Sequence, residues 1–389
     1  MAHRRLLGRR GAAEEEEAMA DAEGTPRSGR RHQSPAPSPS SASSSSSGRL
    51  WPVRAIRESY GELVSMVIRP PRAEYGLQHL GPRSFETRRR RCIREDVRVE
   101  NDRGLMLECS WWQPSDDSSS SGQQRPCVVY MHGNSSCRVE AMEHLPMLME
   151  MGATLFAFDF AGCGLSEGDL ITLGWNEKDD VRCVVDFLRG TGRVSTVALW
   201  GRSMGAATAL LYGHFDPSIA AMILDSPFAD LHQLAREIAM RMPVRRKPRV
   251  LVSAALRVLR GSIRKRSGLD MFRLKPIEHA DSTFIPALFV AGTGDSFITP
   301  SHAKDIHGRY AGDKNLVLVE GDHNSKRPSY LQDSIAIFLG DRLLSPAAGP
   351  NQGPPLGGLP PSEARGAAAA SEESPRDCSA LLQSLLREY

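Results

Sequence analysis

Short apolar runs separated by longer segments of mixed polarity set the pattern of the chain. Cys127–Met131, Thr154–Phe158, Thr196–Trp200 and Ile219–Leu224 are continuous apolar or β-branched runs, each the length of a buried strand. Segments 139–151, 175–189 and 204–214 lie between them and carry apolar residues at helical spacing. Ile285–Ala291 and Leu316–Val319 continue the strand series, and Asp96–Val99 and Leu105–Trp112 precede it as an antiparallel edge pair. Strands alternating with helices of this length predict an α/β fold, a mostly parallel sheet of about eight strands with helices on both faces. The alternation stops between Phe228 and Ile285, where Leu231–Ala235 and Val250–Ile263 read as helices. Residues 228–284 are therefore expected to form a helical cap inserted into the fold. An ordinary connecting helix pair is the other reading; loops of this length are more often functional or disordered than incidental.

The ends of the chain read differently. Residues 1–50 are serine, proline and charge, too poor in apolar side chains to fold, and predict a disordered extension. Residues 346–389 form a Pro/Gly/Ala-rich tail that ends in a short helical segment, Cys378–Leu386. That segment is similar, through Ala380 and Ser384, to a ubiquitin-interacting helix; docking on the chain's own domain is the other reading. The folded domain is expected to span 67–344, and the polar stretch from Pro114 to Gln124 is expected to be a loop between two strands.

Composition narrows the class. The 389 residues are 40% hydrophobic, enough for a large core, and the net charge of +3 gives no reason to invoke nucleic acid. The four-arginine run Arg88–Arg91 reads as a solvated strand entry. Seven cysteines, Cys92, Cys109, Cys127, Cys137, Cys163, Cys183 and Cys378, are scattered without C-x-x-C pairs. This pattern fits a reducing compartment, without disulfides or a zinc site. No apolar stretch is long enough to span a membrane. The basic start Met1–Arg5 lacks the apolar region of a secretory signal; Arg9, Arg10 and the serines after Ser34 have the composition of a transit peptide, and the acidic run Glu14–Glu17 argues against one, so both readings stay open. Ala2 excludes myristoylation, and the chain end is no prenylation signal. A cytoplasmic location is expected; through 241–266 ten Arg and Lys residues interleave with apolar ones and no acid intervenes, which reads either as a peripheral membrane contact or as a helix whose apolar side packs on the domain with its cations solvated.

The chemistry is concentrated in Gly201-Arg202-Ser203-Met204-Gly205. An apolar run precedes it and the small-residue stretch Ala206–Leu211 follows, the strand–turn–helix context of a nucleophile elbow with Ser203 at its apex. A glycine-rich turn with a capping serine is the bland alternative. Upstream, the strand ending at Met131 leads into His132-Gly133-Asn134-Ser135. There the N–H of Asn134, together with that of Met204, is expected to bind an oxyanion. Downstream, one strand ends in Gly292-Thr293-Gly294-Asp295 and the next in Gly321-Asp322-His323-Asn324. Serine, acid and histidine thus follow one another in chain order, each just past a strand end, where a parallel sheet opens its crevice. Of the eleven histidines, only His323 combines a strand end with a place after the acid. Asp225, ending the strand after the elbow, is the rival to Asp295.

Taken with Asp159-Phe160-Ala161-Gly162-Cys163-Gly164-Leu165-Ser166, these motifs resemble the α/β-hydrolase fold in its serine-aminopeptidase-like branch. Monoacylglycerol lipases and depalmitoylating thioesterases share the set. The stretches Ile68–Tyr75 and Leu173–Asp180 are similar to an uncharacterised subgroup of such proteins. The resemblance implies a serine hydrolase of carboxylic esters or thioesters, acting through Ser203, His323 and Asp295 and an acyl-enzyme, with no cofactor and no metal. The implied substrate is a small-molecule or lipid acyl compound or an acylated protein. A serine aminopeptidase, or a silent binding module that keeps the fold, are the alternatives.

Overall fold

In the computed structural model, which describes residues 51–88, 90–115, 123–242 and 248–344, the strands form one sheet. They are β1 (Ser84–Glu86), β2 (Arg91–Glu100), β3 (Met106–Pro114), β4 (Arg125–Met131), β5 (Thr154–Phe158), β6 (Val194–Arg202), β7 (Ala221–Asp225), β8 (Ala287–Gly292) and β9 (Lys314–Val319). Their order is β1-β2-β3-β5-β4-β6-β7-β8-β9. Pairings from β1 to β5 are antiparallel, and those from β5 through β4 to β9 are parallel. The fold is the expected α/β class with nine strands rather than eight. The extra one, β1, pairs only Ser84–Glu86 with Arg91–Ile93 and buries no residue fully, so its sequence carries no strand pattern.

Parallel strands are covered on both faces, so β5 and β7 are buried at every position. One face packs Phe156, Phe158 and Leu199 under α3 (Glu177–Gly190) and α4 (Met204–Gly213). The other packs Val128, Tyr130 and Trp200 under α2 (Leu145–Met151) and α8 (Ser329–Leu343). α2 is shorter than the helix expected over 139–151. A 3-10 turn occupies Arg138–Glu143, and Pro146 then opens α2. α7 (Pro300–Arg309) crosses between β8 and β9.

Between β7 and β8 the chain leaves the sheet to form α5 (Leu231–Arg241) and α6 (Arg249–Ser267), the two helices read from sequence in this insertion. A helix the sequence reading did not assign, α1 (Trp51–Ile68), joins them. Val64 and Ile68 share an apolar cluster with Leu231, Leu234, Leu256, Leu259 and Ile263, and the Tyr60 hydroxyl donates to Ser262 Oγ at 2.7 Å. Residues before 67 thus pack against the insertion helices.

The chain divides into two units, Met1–Trp51 and Pro52–Tyr389, and all described residues except Trp51 lie in the second. The N-terminal 1–50, Arg89, the loop residues 116–122, residues 243–247 with Arg245, Arg246 and Lys247, and the tail with Cys378–Leu386 lie outside the described residues. Among the described residues six cysteines are free thiols, five of them buried. Among the described residues no helix is long and apolar enough to cross a membrane.

Candidate active site

Ser203 stands between β6 and α4 with φ +53° and ψ −114°, a conformation that side-chain-bearing residues rarely adopt. Its flanking glycines explain how the chain tolerates it. A Cβ on Gly201 would lie 2.2 Å from Gly205 O, and one on Gly205 would lie 2.1 Å from Met131 O. Both contacts are to backbone, so neither position admits a larger residue without moving a strand or helix. The Ser203 N–H donates to Asp225 O at 2.7 Å, which ties the turn to the end of β7.

Register brings the remaining motifs to the same edge. Met131 pairs with Gly201, Arg202 with Asp225 and Gly292 with Val319, so β4, β6, β7, β8 and β9 end on one side. The loops after β8 and β9 are bound backbone to backbone. Thr293 N–H donates to Val319 O at 2.7 Å and Gly294 N–H to Gly321 O at 2.9 Å. This places Asp295 and His323 together although 28 residues separate them. His323 Nδ1 is 2.6 Å from Asp295 Oδ2, and His323 Nε2 is 3.0 Å from Ser203 Oγ. The other oxygen of Asp295 accepts the N–H groups of Phe297 and Ile298, at 2.9 and 2.8 Å. A carboxylate held this way keeps one oxygen for Nδ1–H and leaves Nε2 as the acceptor for the serine hydroxyl. Asp295 is 3% exposed and Ser203 7% exposed, which keeps the chain of three at the margin of the core.

The rival acid, Asp225, is engaged elsewhere. Arg327 grips it through Nε and Nη2 at 2.9 and 2.8 Å, and Ser226 Oγ donates to it at 2.9 Å. Asp322 closes its own turn by accepting the Asn324 and Ser325 N–H groups, and its carboxyl is held below its ordinary value by bonding to Ser325.

The loop after β4 borders the elbow, and a Cβ on Gly133 would lie 3.8 Å from Ser203 Cβ. His132 is buried and fixed at both ring nitrogens, accepting Phe160 N–H at Nε2 and meeting Gly133 O at Nδ1. The Gly133 N–H donates to Glu140 Oε2 at 2.9 Å. Among the described residues, the N–H groups of Asn134 and Met204 have no hydrogen-bond partner, and Asn134 is exposed.

Sequence reasoning missed the pair that links these loops. Arg202 bonds Glu140, and its Nη2 donates to His323 O and Asn324 Oδ1, both at 3.0 Å. Burial opposes the charge on Glu140, but Arg202 and the Gly133 N–H outweigh it and hold the carboxyl below its ordinary value. Glu140 in turn raises the Arg202 guanidinium further above its usual range. The clamp therefore stays ionised. It spans the loop after β4, the elbow and the histidine loop, and the variable second position of the elbow motif was its only trace in the sequence. The Asp159–Ser166 motif is structural. Asp159 accepts the Tyr75 hydroxyl and the N–H groups of Arg138 and Leu165.

A parallel sheet with a strained serine elbow after β6, an acid past β8 and a histidine past β9 defines an α/β-hydrolase. The serine aminopeptidase S33 family matches residues 122–323, just over half of the chain and including Ser203, Asp295 and His323. The chain belongs to that family. It is 27% identical over 201 residues to the uncharacterized protein YqkD of Bacillus subtilis, covering 50% of this chain and 64% of that one. To the human protein ABHD12B it is 21% identical over 206 residues, 51% of this chain and 52% of that one. The chain thus spans less than two thirds of either relative. Among solved structures it resembles the Pyrococcus furiosus esterase Pf2001, with TM-score 0.52 and 20% identity over 70% of this chain and 99% of that one. The acetyl xylan esterase of Paenibacillus sp. R4 superposes with TM-score 0.51 at 16% identity, over 74% and 94%. At such identities these two structures share the fold with this chain.

Proposed function

We propose that this protein is a serine hydrolase that cleaves carboxylic esters or thioesters by two-step acyl transfer to water. The observation that carries the reading is the continuous relay from Asp295 to His323 to Ser203, at 2.6 and 3.0 Å. Ser203 Oγ bonds to the acyl carbon as its proton passes to His323 Nε2. The tetrahedral intermediate collapses, the bond to the alcohol or thiol breaks, and His323 returns the proton to that leaving group. Water then attacks the acyl-enzyme by the same route and releases the acid and free Ser203. Asp295 holds the productive tautomer and offsets the charge that forms on His323. The N–H groups of Asn134 and Met204 take the oxyanion, each worth about 3 kcal/mol in the transition state. Two of the solved neighbours being esterases agrees with this class.

An aminopeptidase reading needs a carboxylate to hold the substrate ammonium. Three carboxylates of the described residues are already engaged: Glu140 by Arg202, Asp225 by Arg327, and Glu237 by Gln233 and Arg241. This favours acyl substrates, whether a small molecule, a lipid or an acylated protein. The test is a fluorophosphonate probe together with panels of p-nitrophenyl acyl esters, acyl thioesters and aminoacyl anilides. Labelling and ester turnover are expected in the native chain and absent in Ser203→Ala, with the melting temperature held. Turnover that survives in Ser203→Ala removes the nucleophile assignment. Anilides cleaved faster than esters move the substrate class to peptides.

A further inference from the structure

The helix α6 carries two apolar faces, and the fold uses one. Leu256, Leu259 and Ile263 are buried against α1 and α5. Val250, Leu251 and Val258 remain 77%, 64% and 62% exposed. Val250, Ala254 and Val258 follow one another at one-turn spacing, with Leu251 and Ala255 beside them, so the exposed apolar positions form a stripe. Around that stripe the helix has six cations, Arg249, Arg257, Arg260, Arg264, Lys265 and Arg266, and no acidic residue. Arg260 is held by Asp270, with Nε to Oδ1 at 2.6 Å. The other five have no ion pair among the described residues. The helix is fixed in this orientation from behind, because the Tyr60 hydroxyl donates to Ser262 Oγ and to Val258 O.

From these features we infer that the outer face of α6 is a docking surface for an anionic lipid bilayer. A partner must offer dense negative charge and an apolar phase within the reach of one helix. The headgroup and acyl boundary of a charged leaflet offers both, taking Val250, Leu251 and Val258 while the cations stay at the phosphates. A nucleic acid offers the charge alone and leaves the apolar stripe in water. The surface is also wired to the candidate site. Arg241, closing α5, bonds the carbonyls of Ser296 and Phe297, the two residues after Asp295. The Phe297 ring lies 5.2 Å from His323 and packs in the cluster that includes Val252 of α6. Phe297 and the Val252 side of α6 thus pack against one apolar cluster beside the Asp295–His323 pair.

The docking surface rests on α6 alone and stands whether or not the hydrolase reading holds. The test is flotation of the full chain with phosphatidylserine/phosphatidylcholine vesicles and with phosphatidylcholine vesicles, at low and high salt. The variants are Arg257→Glu/Arg264→Glu/Lys265→Glu/Arg266→Glu and Val250→Ser/Leu251→Ser/Val258→Ser. Turnover of a soluble short-chain ester and the melting curve report that each variant is folded. The native chain is expected to float with anionic vesicles at low salt and at least tenfold less with neutral ones. Charge reversal should lower anionic binding at least tenfold, and the serine variant should lower it several-fold while leaving heparin retention unchanged. Absence of flotation at low salt overturns the inference, as does flotation unchanged by charge reversal. Binding lost on charge reversal but indifferent to the serine variant assigns the face to a soluble polyanion and equally overturns it.

Discussion

Ser203 holds a backbone conformation that costs a side-chain-bearing residue about 1–3 kcal/mol, and its surroundings sustain it. The restraints are Gly201, Gly205 and the bond from its N–H to Asp225 O. Asp225 and Asp295 are therefore two acids at neighbouring strand ends with separate work, and the pair of asparagine variants divides them. Asp295→Asn is expected to lower kcat by roughly four orders of magnitude, because an amide favours the wrong His323 tautomer. Asp225→Asn is expected to leave kcat within about tenfold and to lower stability by roughly 3 kcal/mol, since it strips a buried arginine of its charge partner. Steady-state kinetics and thermal melts on both variants decide it, and reversed outcomes would make Asp225 the acid. Serine, acid and histidine were legible because each directly follows an apolar strand and their chain order is restricted. Arg202, Glu140 and Arg327 were not. Their partners lie 62 and 102 residues away, and a charge on a loop looks the same in sequence whether it is solvated or clamped.

Elements whose whole length is buried were the easiest to read, since an uninterrupted apolar run such as Thr154–Phe158 has little else to become. β1 was not legible because a three-residue strand is too short for alternation. α1 was not, because its buried residues answer to the insertion helices rather than to the sheet. α4 meets β4 closely at Gly205. A Cβ on Gly205 would come within 2.1 Å of Met131 O and 2.9 Å of His132 O, both main chain. Gly205→Ala is expected to push α4 off β4, lowering stability by about 1–3 kcal/mol and turnover with it, because Met204 N–H moves too. Gly190→Ala is the control. Nothing lies within 4 Å of its added methyl, and the melting temperature should hold or rise slightly. Equal melts for the two variants would deny the close approach.

At the scale of the whole molecule, acid sensitivity should be visible through one buried imidazole. His144 stacks on Trp200 at 3.8 Å and takes a hydrogen bond from Gln332, with Glu140, Asp225 and Arg202 around it. Burial holds it at about 4, against 6.5 when unfolded. Between those values the unfolded chain binds the proton and the native one does not, so stability falls as pH drops from 6.5 towards 4. The loss is on the order of 3 kcal/mol. Asp180 works the other way. Burial raises it to about 6, so it gives stability back as pH falls from there towards 3.8. Replacing His144→Gln should therefore flatten the fall in melting temperature between pH 7 and pH 5, and an unchanged slope would remove His144 from the account. The sheet order carries one more consequence. The matched family span begins at residue 122, beyond β3, yet β3 is the neighbour that covers one side of β5 through Cys109–Trp112. A chain shortened to the family boundary would turn Thr154–Phe158 into an open edge. Five consecutive apolar or β-branched residues with unpaired N–H and C=O groups are a template for strand-to-strand aggregation. The antiparallel strands hold none of the candidate catalytic side chains, and β3 keeps the backbone of β5 paired on its outer side.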